Sequence, residues 1–319
     1  MTASHLHGRR VAVTGGTSGL GLALVRELHR RGAAVAFVAR TADRVHTVAA
    51  DLDGTCGIVG DVSRKEDVYP IAMQITAALG GLDVLVNNAS SLGPVPLAPL
   101  ADTDCEDLEA ALATNLVGPF RLTKALLGAL AASAREARAP QIVNISSDAA
   151  GTPYPNWGAY GASKAALGHL TRIWREELIG LGIDAVTVDP GDMDTPLHAL
   201  AVPDADRGAL KRPADAAITP YAGWGAYGAS KAALAHVSRI WDEELRPLGV
   251  RMIAIDPGDM DTPLHALAVP DADSATLKRP RDAALEVIAA IEAAAPGTTH
   301  GSTARQTTAQ EAAYGEVTV

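Results

Sequence analysis

Two cysteines, Cys56 and Cys105, are all the thiols in this chain. One pair cannot make a disulfide framework, and a reducing, cytoplasmic setting is the expectation. Aromatic residues make up only 4% of the chain, so its core has to be built from Ala, Val, Leu and Ile. Basic residues are outnumbered 27 to 37, for a net charge of −10. That balance gives no electrostatic footprint for nucleic acid or an anionic membrane surface. No apolar run approaches the roughly 18 residues needed to span a bilayer. The opening MTASHLHGRR leads straight into VAVTGG, without an apolar h-region or cleavage site, so no signal peptide is expected. No metal site is expected either. What is present, 48% apolar and 20% charged residues, suits an ordinary globular protein rather than a disordered one.

The length of 319 residues is explained by a repeat. Residues 148–214 recur as residues 215–281, a period of 67, with 48 of the 67 positions identical. The stretch DPGDMDTPLHALAVPDAD stands at Asp189–Asp206 and again at Asp256–Asp273. All four tryptophans fall in equivalent pairs, Trp157 with Trp224 and Trp174 with Trp241. Two long units are too few for a solenoid, which stacks three or more short ones. With one copy removed, the 252 residues left are a normal single-domain length. The expectation is one domain over residues 1–295 carrying a tandem duplication of part of itself. A flexible tail is expected over residues 296–319, which are rich in Thr, Ala and Gln without clear periodicity.

Strand and helix signals alternate through the rest. β-Branched runs stand at Arg10–Val13, Ala34–Val38, Gly57–Val62, Leu82–Val86, Gln141–Ile145 and Ile183–Val188. Helical stretches include Gly19–Arg31, Lys65–Leu79, Cys105–Ala137 and Trp157–Ile179. Thr103 and Glu106 have the spacing of a capping box ahead of the third of these. Such alternation predicts an α/β fold, a Rossmann-type doubly wound parallel sheet with helices on both faces in three layers.

Directly after the first strand comes TGGTSGLG, Thr14–Gly21. Its glycines at 15, 19 and 21 allow a tight turn and a close backbone approach to a pyrophosphate, and the helix that follows adds its positive end. This run has the T-G-x-x-x-G-x-G spacing of the short-chain dehydrogenase/reductase family, in its shorter form of about 250 residues. The chain resembles that family in further landmarks taken in order: Asp61-Val62, Asn87-Asn88-Ala89, Asn115, Ser147, Tyr160-x-x-x-Lys164 and Pro190-Gly191. The resemblance covers roughly residues 8–210 once, and the duplicated part twice.

The resemblance implies a nicotinamide dinucleotide cofactor held by Thr14, Gly15, Thr17, Ser18, Gly19, Leu20 and Gly21. It assigns Asp61 and Val62 to the adenine, and Asn88 and Ala89 to the cofactor-facing end of the fourth strand. Pro190, Gly191 and Thr195 match the turn that binds the nicotinamide carboxamide and leads into the substrate lid. An NAD enzyme would place Asp or Glu at the end of the second strand to bind the ribose 2′-hydroxyl. This chain has Ala39 there, followed by Arg40, whose guanidinium suits a 2′-phosphate. NADP is therefore the expected cofactor, with NAD as the alternative. The NNAS run at Asn87–Ser90 departs from the family's commoner N-N-A-G, and Ser90 fits only if its backbone stays in an ordinary region.

Reduction of a carbonyl needs a proton donor to the developing alkoxide. A free tyrosine, with a pKa of about 10, is a weak acid for that work, and a nearby ammonium would lower the value. Tyr160 and Lys164 are four residues apart and share one helix face, also serving as cofactor contacts by resemblance. The resemblance makes Ser147 the residue that hydrogen-bonds the substrate oxygen. It makes Asn115, in a locally distorted helix, the residue binding the water that links Lys164 to solvent.

The second copy keeps YGASK as Tyr227 and Lys231. It has Pro213 and Ala214 where the first has Ser146 and Ser147, so no catalytic role is assigned to it. His198 and its repeat, His265, read as surface residues of the lid. The second copy could supply a helix, Trp224–Leu245, and a strand, Val250–Asp256, standing in for the family's seventh strand. By resemblance a homo-oligomer is expected, through the fourth and fifth helices, although a duplicated helix could cover that surface within the chain. The functional expectation is an NADPH-preferring carbonyl reductase or alcohol dehydrogenase acting on a small ketone or alcohol. The alternative is a catalytically impaired NADP(H)-binding regulatory or scaffold protein of the same fold.

Overall fold

Six short runs of Val, Ile, Leu and Ala form the strands of one sheet. They are β1 (Arg10–Thr14), β2 (Ala34–Ala39), β3 (Cys56–Val59), β4 (Val84–Asn87), β5 (Gln141–Ile145) and β6 (Asp184–Val188). All pairings are parallel, in the order β3-β2-β1-β4-β5-β6. The computed structural model describes residues 6–190, 196–203, 236–237, 240–241 and 243–244.

The connecting helices are α1 (Gly19–Arg30), α2 (Ala42–Asp51), α3 (Lys65–Leu79), α4 (Cys105–Leu112), α5 (Gly118–Arg135) and α6 (Gly158–Leu178). A short α7 (Pro196–Ala201) follows β6. Side chains alternate across each strand, and the two faces build separate apolar clusters. Ala12, Leu85 and Ile142 point to a cluster that takes Ile71 and Ile75 of α3, Leu122, Leu126 and Leu130 of α5, and Leu170 and Trp174 of α6. Val11, Val13, Phe37 and Val86 point the other way, against Val25 of α1 and Val45 and Val48 of α2. Helices on both faces of a parallel sheet make the expected three-layer arrangement.

At the end of the sheet where β1 begins, Asp83 is fully buried. Its carboxylate accepts from Arg10 Nη2 at 2.7 Å, Ser133 Oγ at 2.7 Å and Arg138 Nε at 3.1 Å. Burial alone would raise the Asp83 carboxyl, and these hydrogen bonds outweigh it and hold the group well below the ordinary carboxylate range. This network ties β1, the start of β4 and the end of α5 together.

Two local expectations are corrected. Thr103 and Glu106 do not form a capping box: the residue before α4 is Asp104, and it makes no side-chain cap bond. The Thr103 hydroxyl instead donates backwards to Pro99 O at 2.9 Å, which closes the 3₁₀ turn Leu100–Asp102. The single helix expected over Cys105–Ala137 is broken by a π turn at Ala113–Val117, between α4 and α5. The first copy of the repeat supplies α6 and β6 to the sheet. Of the expected Trp224–Leu245 helix, residues 236, 237, 240, 241, 243 and 244 are described, and all are helical. Gly191, Thr195, Tyr227, Lys231, His265, the strand at Val250–Asp256 and the tail 296–319 lie outside the described residues. No described helix is long and apolar enough to cross a membrane.

Candidate active site

The strand order reverses between β1 and β4, where a doubly wound sheet opens a crevice at the carboxyl ends of its strands. Thr14, the last residue of β1, is buried there. Its hydroxyl oxygen accepts from the backbone N–H groups of Asn88 and Ala89, each at 3.0 Å. The Asn88 side chain returns a bond from Nδ2 to Thr14 O at 2.9 Å. These bonds fix the end of β4 to the start of the glycine loop.

Within the loop, Gly15 has φ of +71°, and a Cβ there would lie 2.9 Å from Asn88 Nδ2. A Cβ on Gly21 would lie 2.1 Å from Gly15 O, so only glycine lets α1 close back on the loop. Ser18 precedes α1 without capping it through its side chain, and the first turn of α1 holds no acidic residue. Amide donors at the α1 N-terminus are thus left to an anion, with Thr17, Ser18, Gly19 and Leu20 half-buried around them. Arg40 is exposed one residue beyond β2 and takes part in none of the ion pairs among the described residues. Asp61, two residues beyond β3, accepts from Ser63 N at 2.9 Å and Ser63 Oγ at 2.7 Å on one oxygen. Val62 beside it is buried. The glycine cradle, the uncapped helix end and the strand-end cation fit a dinucleotide with a charged ribose phosphate. Among the described residues, no group of three His, Cys, Asp or Glu could hold a metal ion.

The second half of the site gathers on α6, on the π turn and on the loops after β4 and β5. Tyr160 and Lys164 are both buried on α6. Lys164 Nζ donates to Ile145 O at 2.8 Å and lies 5.5 Å from the centroid of the Tyr160 ring. Ser147, just past β5, and Ser90, from the loop after β4, both lie near enough to Tyr160 to act on its hydroxyl. Asn115 sits in the π turn with no solvent exposure. Its Oδ1 accepts from Ser90 Oγ at 3.1 Å and Ser91 N at 2.8 Å. Its Nδ2 donates to Ser91 O and Ser163 Oγ, both at 2.8 Å. The Asn115 side chain is therefore committed to holding the 90–91 loop against α6.

The expectation that Lys164 depresses Tyr160 is corrected. Burial pushes the Tyr160 hydroxyl up to about 12, against smaller downward pulls from Ser147 and Ser90 and upward ones from Asp189 and Asp148. Lys164 is itself brought down to about 8 by burial. The physical reason is placement: the ammonium faces the ring and the Ile145 carbonyl rather than the phenolic oxygen.

Two members of the site were not assigned from the sequence. Ser90 was noted only as a departure at its position. It is absent from the positive-φ residues, so its backbone is ordinary; its hydroxyl donates to Asn115 and lies near enough to Tyr160 to lower its pKa. Asp148 accepts from Ser147 Oγ at 3.0 Å and Tyr154 Oη at 2.8 Å, and so competes for the Ser147 proton. Its signal was simply adjacency to Ser147. Around Tyr160 the walls are apolar: Leu92 and Ala149, with Leu97, Trp157 and, from α7, Leu197 and Ala201. Trp157 meets the Tyr160 ring edge-on at 5.7 Å. His198 is half-buried on the same short helix, and Pro190, just past β6, is buried.

The family profile of short chain dehydrogenases matches residues 9–206 and, separately, 214–273. A short chain dehydrogenase of Pseudocercospora fijiensis is 33% identical over 201 residues, 61% of this chain. The match spans 62% of that relative, less than two thirds of its length. A short chain dehydrogenase from Burkholderia cenocepacia, solved in complex with NADP, is 30% identical with a TM-score of 0.56, covering 65% of this chain and 82% of that one. A 3-ketoacyl-(acyl-carrier-protein) reductase from Brucella melitensis, solved with NADH, is 26% identical with a TM-score of 0.59. That match covers 62% of this chain and 81% of the reductase.

Proposed function

The chain belongs to the short-chain dehydrogenase family, and from that premise we propose that it is an NADPH-preferring carbonyl reductase whose site is built by the first copy of its repeat. The carrying observation is the buried Tyr160, its ring 5.5 Å from the ammonium of the buried Lys164, with Ser147 and Ser90 close enough to pull its pKa down. A tyrosine held near 12 is protonated at neutral pH, and that state donates a proton rather than accepting one.

Bound between the glycine loop and α6, a nicotinamide dinucleotide would supply the hydride. Tyr160 then donates its proton to the carbonyl oxygen as negative charge develops there. Ser147 donates a hydrogen bond to the same oxygen and orients it. Lys164 provides the positive charge closest to the phenolate left behind, and Asn115 keeps Ser90 within reach of it. Arg40 selects the cofactor, since Ala39 offers no carboxylate to a ribose hydroxyl. NADP in the Burkholderia relative and NADH in the Brucella reductase agree with a nicotinamide cofactor of either kind. The apolar wall of Leu92, Leu97, Trp157 and Leu197 favours a ketone or aldehyde with an apolar substituent.

The test is NADPH oxidation with a graded set of apolar and polar ketones and aldehydes. Turnover that rises with apolar size supports the proposal. NADPH binding without turnover of any carbonyl would instead leave a nucleotide-binding protein without reductase chemistry.

A further inference from the structure

Seven consecutive residues of α6, Gly158–Lys164, are all buried. A helix lying on a sheet buries one stripe, so a run covered on every side needs a second cover on the face away from the sheet. Part of it is Leu100, whose side chain presses so close to Gly158 that a Cβ there would lie 2.3 Å away. Another part comes from the second copy of the repeat. A Cβ on Gly161 would lie 2.8 Å from His236 Nε2. His236 and Ile240 have no solvent exposure.

Glu244 completes the contact. One carboxylate oxygen accepts from Leu100 N at 2.9 Å and the other from Asn156 N at 3.0 Å. Asn156 stands just before α6 with φ of +71°, a conformation Asn tolerates better than most residues. As numbers rise from His236 to Glu244, their partners fall from Gly161 to Asn156, so the two helices run antiparallel. Residues 236–244 are also the repeat equivalents of residues 169–177 of α6, with six of the nine positions identical. The α6 face is thus covered by a near copy of α6 itself.

We propose that the duplication gives this chain a built-in helical partner: the described second-copy residues 236, 237, 240, 241, 243 and 244 dock in cis on the N-terminal half of α6, take the place a second chain could otherwise occupy there, and leave the protein a monomer. The apolar contribution is Ile240, and the polar one is the Glu244 clamp on two backbone donors that nothing else bonds among the described residues. The proposal is independent of the chemistry assigned above and stands or falls without any measurement of turnover.

The experiment combines sedimentation of the full chain with hydrogen exchange at Leu100, Asn156 and Gly158–Lys164. The native chain should sediment as a monomer with those amides protected. In Glu244→Ala, Leu100 and Asn156 should exchange about tenfold faster, as loss of a bond to a charged acceptor implies, while the chain stays monomeric. In Ile240→Glu, protection should also fall across 158–164. A native chain that is dimeric overturns the proposal, whichever face it uses. So does a Glu244→Ala chain whose Leu100 and Asn156 amides keep native protection, and this variant decides the matter should Ile240→Glu fail to fold.

Discussion

The Lys164 ammonium lies over the face of the Tyr160 ring, 5.5 Å from its centroid, and bonds to the Ile145 carbonyl rather than to the phenolic oxygen. Both groups are buried, and each titrates away from its ordinary value in the direction that removes charge from the interior. The pair is thus set up at a cost to folding, and that cost can be measured.

Lys164 is lowered from 10.5 to about 8, so the unfolded chain binds a proton more tightly than the folded one between these values. Stability due to this residue therefore rises as pH climbs from 8 to 10.5 and is least below 8. Lys164→Met removes the buried charge and leaves Ile145 O without its donor. The net gain should be about 1–2 kcal/mol at pH 7, with the gain vanishing above pH 10.5. Urea unfolding of parent and variant at pH 7 and pH 10.5 checks this, and a variant less stable at pH 7 contradicts it.

Ser90 and Asp148 should move Tyr160 in opposite directions. Ser90→Ala removes a neighbouring hydroxyl that favours the phenolate, and the alkaline limb of the reductive pH profile should shift up. Asp148→Ala removes a negative charge and releases the Ser147 proton, and the same limb should shift down. Two shifts of the same sign would contradict this account of the tyrosine's surroundings.

Asp83 is the place where the fold is most exposed to a single change. Asp83→Ala leaves Arg10 without its buried partner and should cost about 3–5 kcal/mol. In the parent, this contribution is present above the ordinary carboxylate range and is lost as pH falls through and below it. Thermal unfolding at pH 7 and pH 3 should therefore show a large gap between parent and variant at pH 7 and a smaller one at pH 3.

Cofactor choice is tested at Arg40, the exposed residue one past the end of β2. Arg40→Ala should weaken NADPH binding tenfold or more, on the scale of a charge-assisted bond, and leave NADH binding nearly unchanged. Fluorescence titration with each nucleotide gives the answer, and an equal loss for both rules out the assignment.

The sheet was legible because its strands are local and apolar. Gln141–Ile145 was read to the residue, and Lys65–Leu79 likewise among the helices. What was not legible depends on contacts between distant residues. The Asp83 network joins β1, β4 and α5 across separations of 73, 50 and 55 residues. Thr103 had the spacing of a capping residue, but α4 begins one residue later than that spacing requires, with Asp104 in the cap position. The members of the site could be named from their motif, whereas the effect of Lys164 on Tyr160 could not. Four residues of helix put the two side chains together, but only the surrounding burial and the Ile145 carbonyl decide which way the ammonium turns and which influence on the tyrosine is larger.

The central claim is that the first copy of the repeat does the chemistry, and paired tyrosine variants test it most directly. Ser147 stands near Tyr160 and pulls its pKa down, whereas the second copy offers Ala214 at the equivalent position. Single-turnover NADPH oxidation is measured on one ketone for the parent, Tyr160→Phe and Tyr227→Phe, with NADPH affinity determined for each. Tyr160→Phe should lose at least a thousandfold in rate, within the range a positioned proton donor supplies, with affinity within a few fold of the parent. Tyr227→Phe should match the parent in both. An active Tyr160→Phe beside an inactive Tyr227→Phe would contradict the account and assign the chemistry to the second copy.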